Sequence, residues 1–297
     1  MRTNMKFEQI IARVRQNLTV WQETCDTARA LSGLQIKAAV RDCLFDAPTP
    51  PDAVTLRHLA AALVDGDTEL TPYTVKNERA LAFLDALLEL YPDPLTEEQI
   101  SIPLPLPEGP VTVAYFNSAT FADSLTHFTP LIGEMTALPT ESFTQAAEVV
   151  SNGKATFALL PIEDDAEGKL TRFYEQIDRF ELHVIAALHI YTGRDGNQVR
   201  VALVGKNALA LDSKEKPHAM ECLLFEEDRH SLTTLLDAAN AIGLALRRID
   251  SLPISYRDGG FSKHLVFEGS AGLCQRLHAY LALFMPRTSV TADYLLL

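Results

Sequence analysis

The stretch Phe157 to Leu170, FALLPIEDDAEGKL, sets Glu163, Asp164, Asp165 and Glu167 directly behind an apolar run. Phe157-Ala158-Leu159-Leu160 is too short for a helix and right for a buried strand. Pro161 has no N–H to give, so the ladder is expected to end there. Gly168 punctuates a turn before a new amphipathic run. A buried parallel strand that opens into a polar loop before a helix is where α/β proteins place their sites. A solvated βα loop is the plainer meaning of the same residues. Farther along, His183 and His189 stand six apart in LHVIAALHIY and are expected on one face of a strand. Two such histidines could ligate a metal. No Cys, Asp or Glu stands between them at ligand spacing, so no metal is expected. Arg13, Arg15, Arg29, Lys37, Arg41 and Arg57 could hold a dicarboxylate, although solvated helix faces account for them better.

The elements that must position these groups fall into three segments. Residues 1–105 read as helical. Phe7, Ile10, Ile11, Val14, Leu18 and Trp21 form an amphipathic stripe. Gly33 is expected to end or kink that helix, and Ile36, Ala39, Val40, Cys43 and Leu44 repeat the pattern. Asp52 and the Thr71-Pro72 pair suit helix starts. SIPLPLPEG at 101–109 reads as an extended linker. Residues 106–212 read as an α/β segment, with a strand at Val111–Phe116. DSKEKP at 212–217 is a charged linker. Residues 213–297 then follow the order β-α-β-β-α-β, which is ferredoxin-like. Its helices are expected at Ser231–Ile242 and Ala271–Phe284.

The run Ser142 to Gly168 resembles the prephenate dehydratase family. There a helix of the type F-x-x-A/V-x-x-A/V-x-x-G-x-A-D leads into Y-G-V-V-P-I-E-N-S-x-x-G. Here Phe143 to Gly153 precede Phe157-Ala158-Leu159-Leu160-Pro161-Ile162-Glu163. Asp164 stands where the family has Asn, and Asp165 where it usually has Ser or Thr. Asn117-Ser118-Ala119-Thr120-Phe121 corresponds to the family's G-P-x-G-T-F-S turn with both glycines replaced. Asn197 to Lys206 corresponds to its return strand. Arg248-Ile249-Asp250-Ser251-Leu252-Pro253 resembles x-I-E-S-R-P of the C-terminal ACT domain, the regulatory module of many such enzymes. The resemblance spans roughly residues 111–297. It implies a fold of α/β and α+β class: an N-terminal helical region, one prephenate-dehydratase-like lobe and a ferredoxin-like ACT domain.

The resemblance implies sites as well. Thr120, Glu163 and Arg200 occupy catalytic positions. Asp250, Ser251, His230, Ser231 and Leu232 occupy effector-binding positions, where His230 replaces a glycine and Leu252 an arginine. Two departures argue against turnover. The family inserts a second lobe after the strand that ends near Tyr191, and its active site lies between the lobes. Here only Thr192-Gly193-Arg194-Asp195-Gly196 intervene. The family's T-R-F has become Val199-Arg200-Val201, so the catalytic threonine's hydroxyl is gone. Thr171-Arg172-Phe173 spells T-R-F, but at a helix start, where Thr171 suits an N-cap.

Composition bounds the partners. The 297 residues carry a formal charge of −13, with 47% hydrophobic and 22% charged side chains. That charge argues against nucleic acid and anionic membrane as partners. Cys25, Cys43, Cys222 and Cys274 lack C-x-x-C spacing. With no secretory leader recognisable, they are expected as buried free thiols in a reducing cytoplasm. No cofactor and no metal are expected. The expected function is a prephenate dehydratase-like protein of phenylalanine biosynthesis, degenerate in catalysis. The alternatives are a non-catalytic ACT-domain amino-acid sensor or regulatory partner, and a chorismate- or prephenate-using enzyme whose site involves the N-terminal helices. A small-molecule ligand, prephenate-like or an aromatic amino acid, and a homodimer through the ACT domain are the expected partners.

Overall fold

The computed structural model describes residues 30–44, 49–64, 73–91, 110–164, 168–169, 171–192, 197–209, 216–225, 231–253 and 261–297, with isolated positions between. The Phe7–Trp21 stripe, Arg13, Arg15, Cys25, Arg29, the Thr71-Pro72 pair, Asp165, Glu167 and His230 lie outside these residues. The described chain separates into two compact units.

The first unit comprises residues 1–96 with segments 233–238 and 279–286. Its helices are α1 (residues 30–44), α2 (Ala53–Val64) and α3 (Tyr73–Leu90). Asp52 starts α2 as the sequence suggests, its Oδ1 accepting from the Val54 and Thr55 N–H groups at 2.9 Å each. Those bonds, and the Thr55 hydroxyl, hold the Asp52 carboxyl below its ordinary pKa. Helix α1 continues through Gly33 instead of ending there. A glycine stops a helix by adopting positive φ, and Gly33 does not. Phe83, Leu84 and Leu87 of α3 are fully buried. Phe83 meets Phe284 edge-on, with ring centroids 5.8 Å apart. Three of the basic residues suspected of ligand binding are engaged within this unit. Lys37 pairs with Asp85 at 3.3 Å, Arg41 with Glu89, and the Arg57 Nε donates to the Ala282 carbonyl at 2.8 Å.

The second unit is built on one ten-stranded sheet. Its first part contains β1 (Val111–Phe116), α4 (Ala119–Ile132), β2 (Met135–Thr140), α5 (Phe143–Ser151), β3 (Phe157–Asp164), β4 (Gly168–Lys169), α6 (Thr171–Phe180), β5 (His183–Thr192) and β6 (Asn197–Gly205). Its second part contains β7 (Pro217–Phe225), α7 (Ser231–Ile242), β8 (Ala245–Pro253), β9 (Phe261–Ser270), α8 (Ala271–Phe284) and β10 (Ser289–Leu296). The strand order is β2-β1-β3-β6-β5-β10-β7-β9-β8, with β4 paired to β3. The mixed α/β class, the helical N-terminal segment and the ferredoxin-like order all agree with the sequence. Within the second part, β10-β7-β9-β8 is the antiparallel ferredoxin-like arrangement. Edge strand β2 carries no period-2 signature and escaped the sequence reading. Its Pro139 is tolerated because an edge strand can lack a donor.

The sheet presents two faces. Phe121, Leu125 and Phe128 of α4 pack with Leu159, Val201 and Leu203 on one. Ala146, Ala147 and Val150 of α5 and Phe173 of α6 pack with Leu160, Ala202 and Val204 on the other. Four bulges adjust the alternation, one of them in β10 between Val290 and Ala292. Strand β3 does not stop at Pro161. Pro161 opposes Val201, Ile162 is extra, and pairing resumes with Glu163 opposite Arg200. The missing N–H of proline is absorbed at the bulge. In β5 the register slips at Ile185 between Val184 and Ala186. That slip puts His183 and His189 on opposite faces, so the expected same-face pair does not form. In β8 the register slips at Arg247 between Leu246 and Arg248.

The cysteines divide by burial. Cys43 is exposed, contrary to the expectation of buried thiols, while Cys222 and Cys274 are buried. Burial, and secondarily the charge of Glu221 or Asp293, pushes both buried thiols up to about 12. At pH 8 the thiolate fraction at either is then on the order of 10⁻⁴. Residue-resolved mass spectrometry after brief iodoacetamide treatment at pH 8 is expected to show Cys43 alkylated. Cys222 and Cys274 should react only after denaturation. Early native labelling at either buried thiol contradicts the burial.

Candidate functional site

The α5/α6 face of the sheet carries a run of polar residues that hydrophobic alternation would fill with apolar ones. Glu221 stands in the middle of β7, between Met220 and Cys222, and is 2% exposed. An isolated buried carboxylate is costly unless it is hydrogen-bonded. Here three elements supply partners. The Tyr174 hydroxyl of α6 donates to Oε2 at 2.7 Å, and the Tyr294 hydroxyl of β10 donates to Oε1 at 2.7 Å. His264 Nε2 of β9 lies 3.1 Å from Oε2. A carboxylate only accepts, so this contact places the imidazole proton on Nε2. Burial, reinforced by the Glu221 charge, pushes both phenols well above the ordinary tyrosine range. Both tyrosines therefore stay protonated and remain donors across the accessible pH range.

Arg200 of β6 lies on the same face and is 6% exposed. Its guanidinium carbon stands 5.5 Å from the Tyr294 ring centroid, a cation–π arrangement. Its Nη2 is 3.8 Å from Glu268 Oε1. The other oxygen of Glu268 accepts from Arg247 Nε at 2.6 Å. Neighbouring Arg248 grips Asp250, with Nε at 2.9 and 2.8 Å from the two carboxylate oxygens. The bulge at Arg247 lets two consecutive arginines of β8 reach one cavity, where strict alternation would send one away. That cavity holds about 300 Å³. Arg200, Arg247, Arg248, Glu221 and Glu268 give it a charged wall; Ile162, Val266 and the Tyr174 ring give it an apolar one.

The residues anticipated from sequence are distributed unequally. Glu163 and His189 are the register partners of Arg200 on its two sides, one on β3 and one on β5. Thr120 lies in the first turn of α4, which packs on the opposite face of the sheet. Ser118 caps that helix, its hydroxyl accepting from the Phe121 N–H at 3.4 Å. Neither Asn117 nor Ala119 takes a left-handed conformation, so this turn is an ordinary capped helix start. Val199 is buried in the cluster under α4. Thr171 opens α6. Asp250 is held by Arg248, and the Ser251 hydroxyl accepts from Lys263 Nζ at 2.8 Å. Ser231 and Leu232 begin α7. Glu221, Tyr174, Tyr294, His264, Arg247, Arg248 and Glu268 were not anticipated as site residues, although Arg248 stands in the ACT-like motif. The available signal was a glutamate inside the apolar strand AMECLLF. Among the described residues no three His, Cys, Asp or Glu side chains cluster as metal ligands. No described helix is long and apolar enough to cross a membrane.

The glutamate network generates a stability test. A hydrogen bond to a charged group contributes about 1.5–3 kcal/mol. Tyr294→Phe is therefore expected to lower unfolding free energy by about that amount, measured by urea denaturation. Tyr174→Phe should act in the same direction, and the double variant should depart from additivity because both donors serve one carboxylate. Two additive changes below about 0.5 kcal/mol contradict the network.

No protein-family profile matches the chain, and no curated protein matches it by sequence. Solved structures do match. Prephenate dehydratase from Streptococcus mutans aligns with a TM-score of 0.51 at 16% identity, covering 63% of this chain and 98% of that one. A prephenate dehydratase from Arthrobacter aurescens, solved in complex with L-Phe, aligns at 0.48 and 17% identity over 62% of this chain and 90% of that one. GqqA, described as a novel type of quorum quenching acylase, aligns at 0.48 and 16% identity over 62% and 94%. At such identities the likeness is one of fold: the chain contains a prephenate-dehydratase-like α/β fold.

Proposed function

We propose that this protein is a prephenate dehydratase-like protein of the phenylalanine branch whose lyase chemistry is degenerate, and that it binds a prephenate-like carboxylate or an aromatic amino acid. The reading is supported chiefly by the β5–β6 hairpin. These strands pair from His183–Gly205 to Thr192–Asn197 across four intervening residues. No lobe stands between them to form the far wall of a cleft. Orientation within a closed cleft can supply about 7–11 kcal/mol of barrier reduction. The position before Arg200 is Val199, buried and without a hydroxyl, which removes a proton-transfer role worth roughly 10²- to 10⁴-fold. Thr120, Glu163 and Arg200 remain the family-position candidates for ligand contact. Asp250, Ser251, His230, Ser231 and Leu232 remain those for an effector.

The expected outcome is phenylpyruvate formation from prephenate at the non-enzymatic rate, unchanged by Glu163→Gln or Arg200→Ala. Turnover abolished by either substitution overturns the degenerate reading and favours a catalytic one. We also propose a homodimer through residues 213–297. Edge strand β8 exposes Leu246 and Ile249 at 41% and 39%, and an unpaired edge invites a second copy. Light scattering at micromolar concentration should give twice the monomer mass. A monomer rules the dimer out.

A further inference from the structure

The side-on edge of a guanidinium, Nε with the adjacent Nη, is the fork that grips a carboxylate through two parallel bonds. In Arg200 both atoms of that edge, Nε and Nη2, are buried and without a hydrogen bond. Neither Glu268 nor Glu221 closes the fork. Glu268 reaches only to 3.8 Å, because its other oxygen is drawn to Arg247. Glu221 is committed to Tyr174, Tyr294 and His264. A buried cation with open donors is expensive to maintain, and this one borders the 300 Å³ cavity.

We propose that this cavity binds a small organic carboxylate in a site completed by both halves of the sheet. The carboxylate oxygens take the Nε/Nη2 fork of Arg200 on β6. Arg247 and Arg248 on β8, each paired with its own carboxylate, border the site from the ferredoxin-like half with their remaining N–H groups, and an apolar tail rests on Ile162, Val266 and the Tyr174 ring. Arg247 and Arg248 are balanced by Glu268 and Asp250, so selectivity rests on the open fork of Arg200: it repels a cationic ligand, and a neutral one leaves it unfilled. The site shares Arg200 with the reading above and deepens it by assigning a ligand class and a role to β8.

The probes are benzoate, benzamide and benzylamine, which match in shape and differ in charge. Isothermal titration calorimetry on the full chain at pH 7.5 and low salt is expected to show saturable 1:1 binding of benzoate. Benzamide and benzylamine should bind at least about tenfold more weakly, the weight of a charge-assisted hydrogen bond. Arg200→Lys keeps the charge and loses the fork, so it should weaken benzoate by about tenfold or more. Arg248→Gln, at a partly exposed position, should weaken it severalfold and decides the matter if Arg200→Lys does not fold. Equal affinity for benzoate and benzamide, no saturable benzoate binding, or full affinity in a folded variant overturns the site. Phenylpyruvate formation is measured on the same samples. Turnover there overturns the degenerate-enzyme reading alone, and loss of benzoate selectivity overturns the carboxylate site alone.

Discussion

Two residue pairs, Leu295 with Ala186 and Leu296 with Ala187, join what would otherwise be two sheets. The Leu297 N–H adds a further bond to the Ala187 carbonyl at 2.9 Å. This short parallel contact fixes the register between an α/β layer and a ferredoxin-like layer. Each layer satisfies its own interior ladder, so the joint carries little backbone energy. Its effect is geometric. It sets β6, with Arg200, and β8, with Arg247 and Arg248, on one continuous face. Without that register the three guanidiniums would have no common cavity.

Electrostatics reinforces the joint where hydrogen bonding is sparse. Glu221 lies on β7, and its donors come from α6 on one side of the joint and from β10 and β9 on the other. The carboxylate therefore acts as a fastener between the layers, at the cost of desolvating a charge. Arg200 sits beside it on the other layer, stabilised by the face of Tyr294 and the distant charge of Glu268. A purely apolar joint would bury as much surface more cheaply. The polar one holds a unique register, because a one-residue slip at the joint would put Glu221 and Arg200 on opposite faces of the sheet.

Much of the architecture was legible in the chain. The helices at Ser231–Ile242 and Ala271–Phe284 carry unbroken apolar spacing and clear boundaries, and the structure has them at those residues. Strand positions were legible, but bulges were not. Pro161 reads locally as a stop, yet tertiary pairing with β6 carries the strand past it. His183 and His189 read as one face because period 2 is assumed, and the extra residue Ile185 breaks it. Gly33 reads as a terminator or kink, but it lacks the positive φ that ends a helix and the helix continues through it. Arg200 was legible through its strand. The residues around it were not, since Glu221, Arg247 and Glu268 lie far along the chain, and only the sheet order gathers them.

The joint also bears on how the molecule assembles. Strand β10 lies between β5 and β7 in space, yet it leaves the ribosome after both. Until it emerges, β5 and β7 each present an open, largely apolar edge, the kind of surface that pairs with other chains. Closing the sheet requires contacts of very high sequence separation, and loop-closure entropy is spent before those contacts form. The α/β layer, whose pairings are local, can order early, while the seam waits. The seam is thus the strand pairing of greatest sequence separation in the sheet, and its closure carries the largest loop-closure cost.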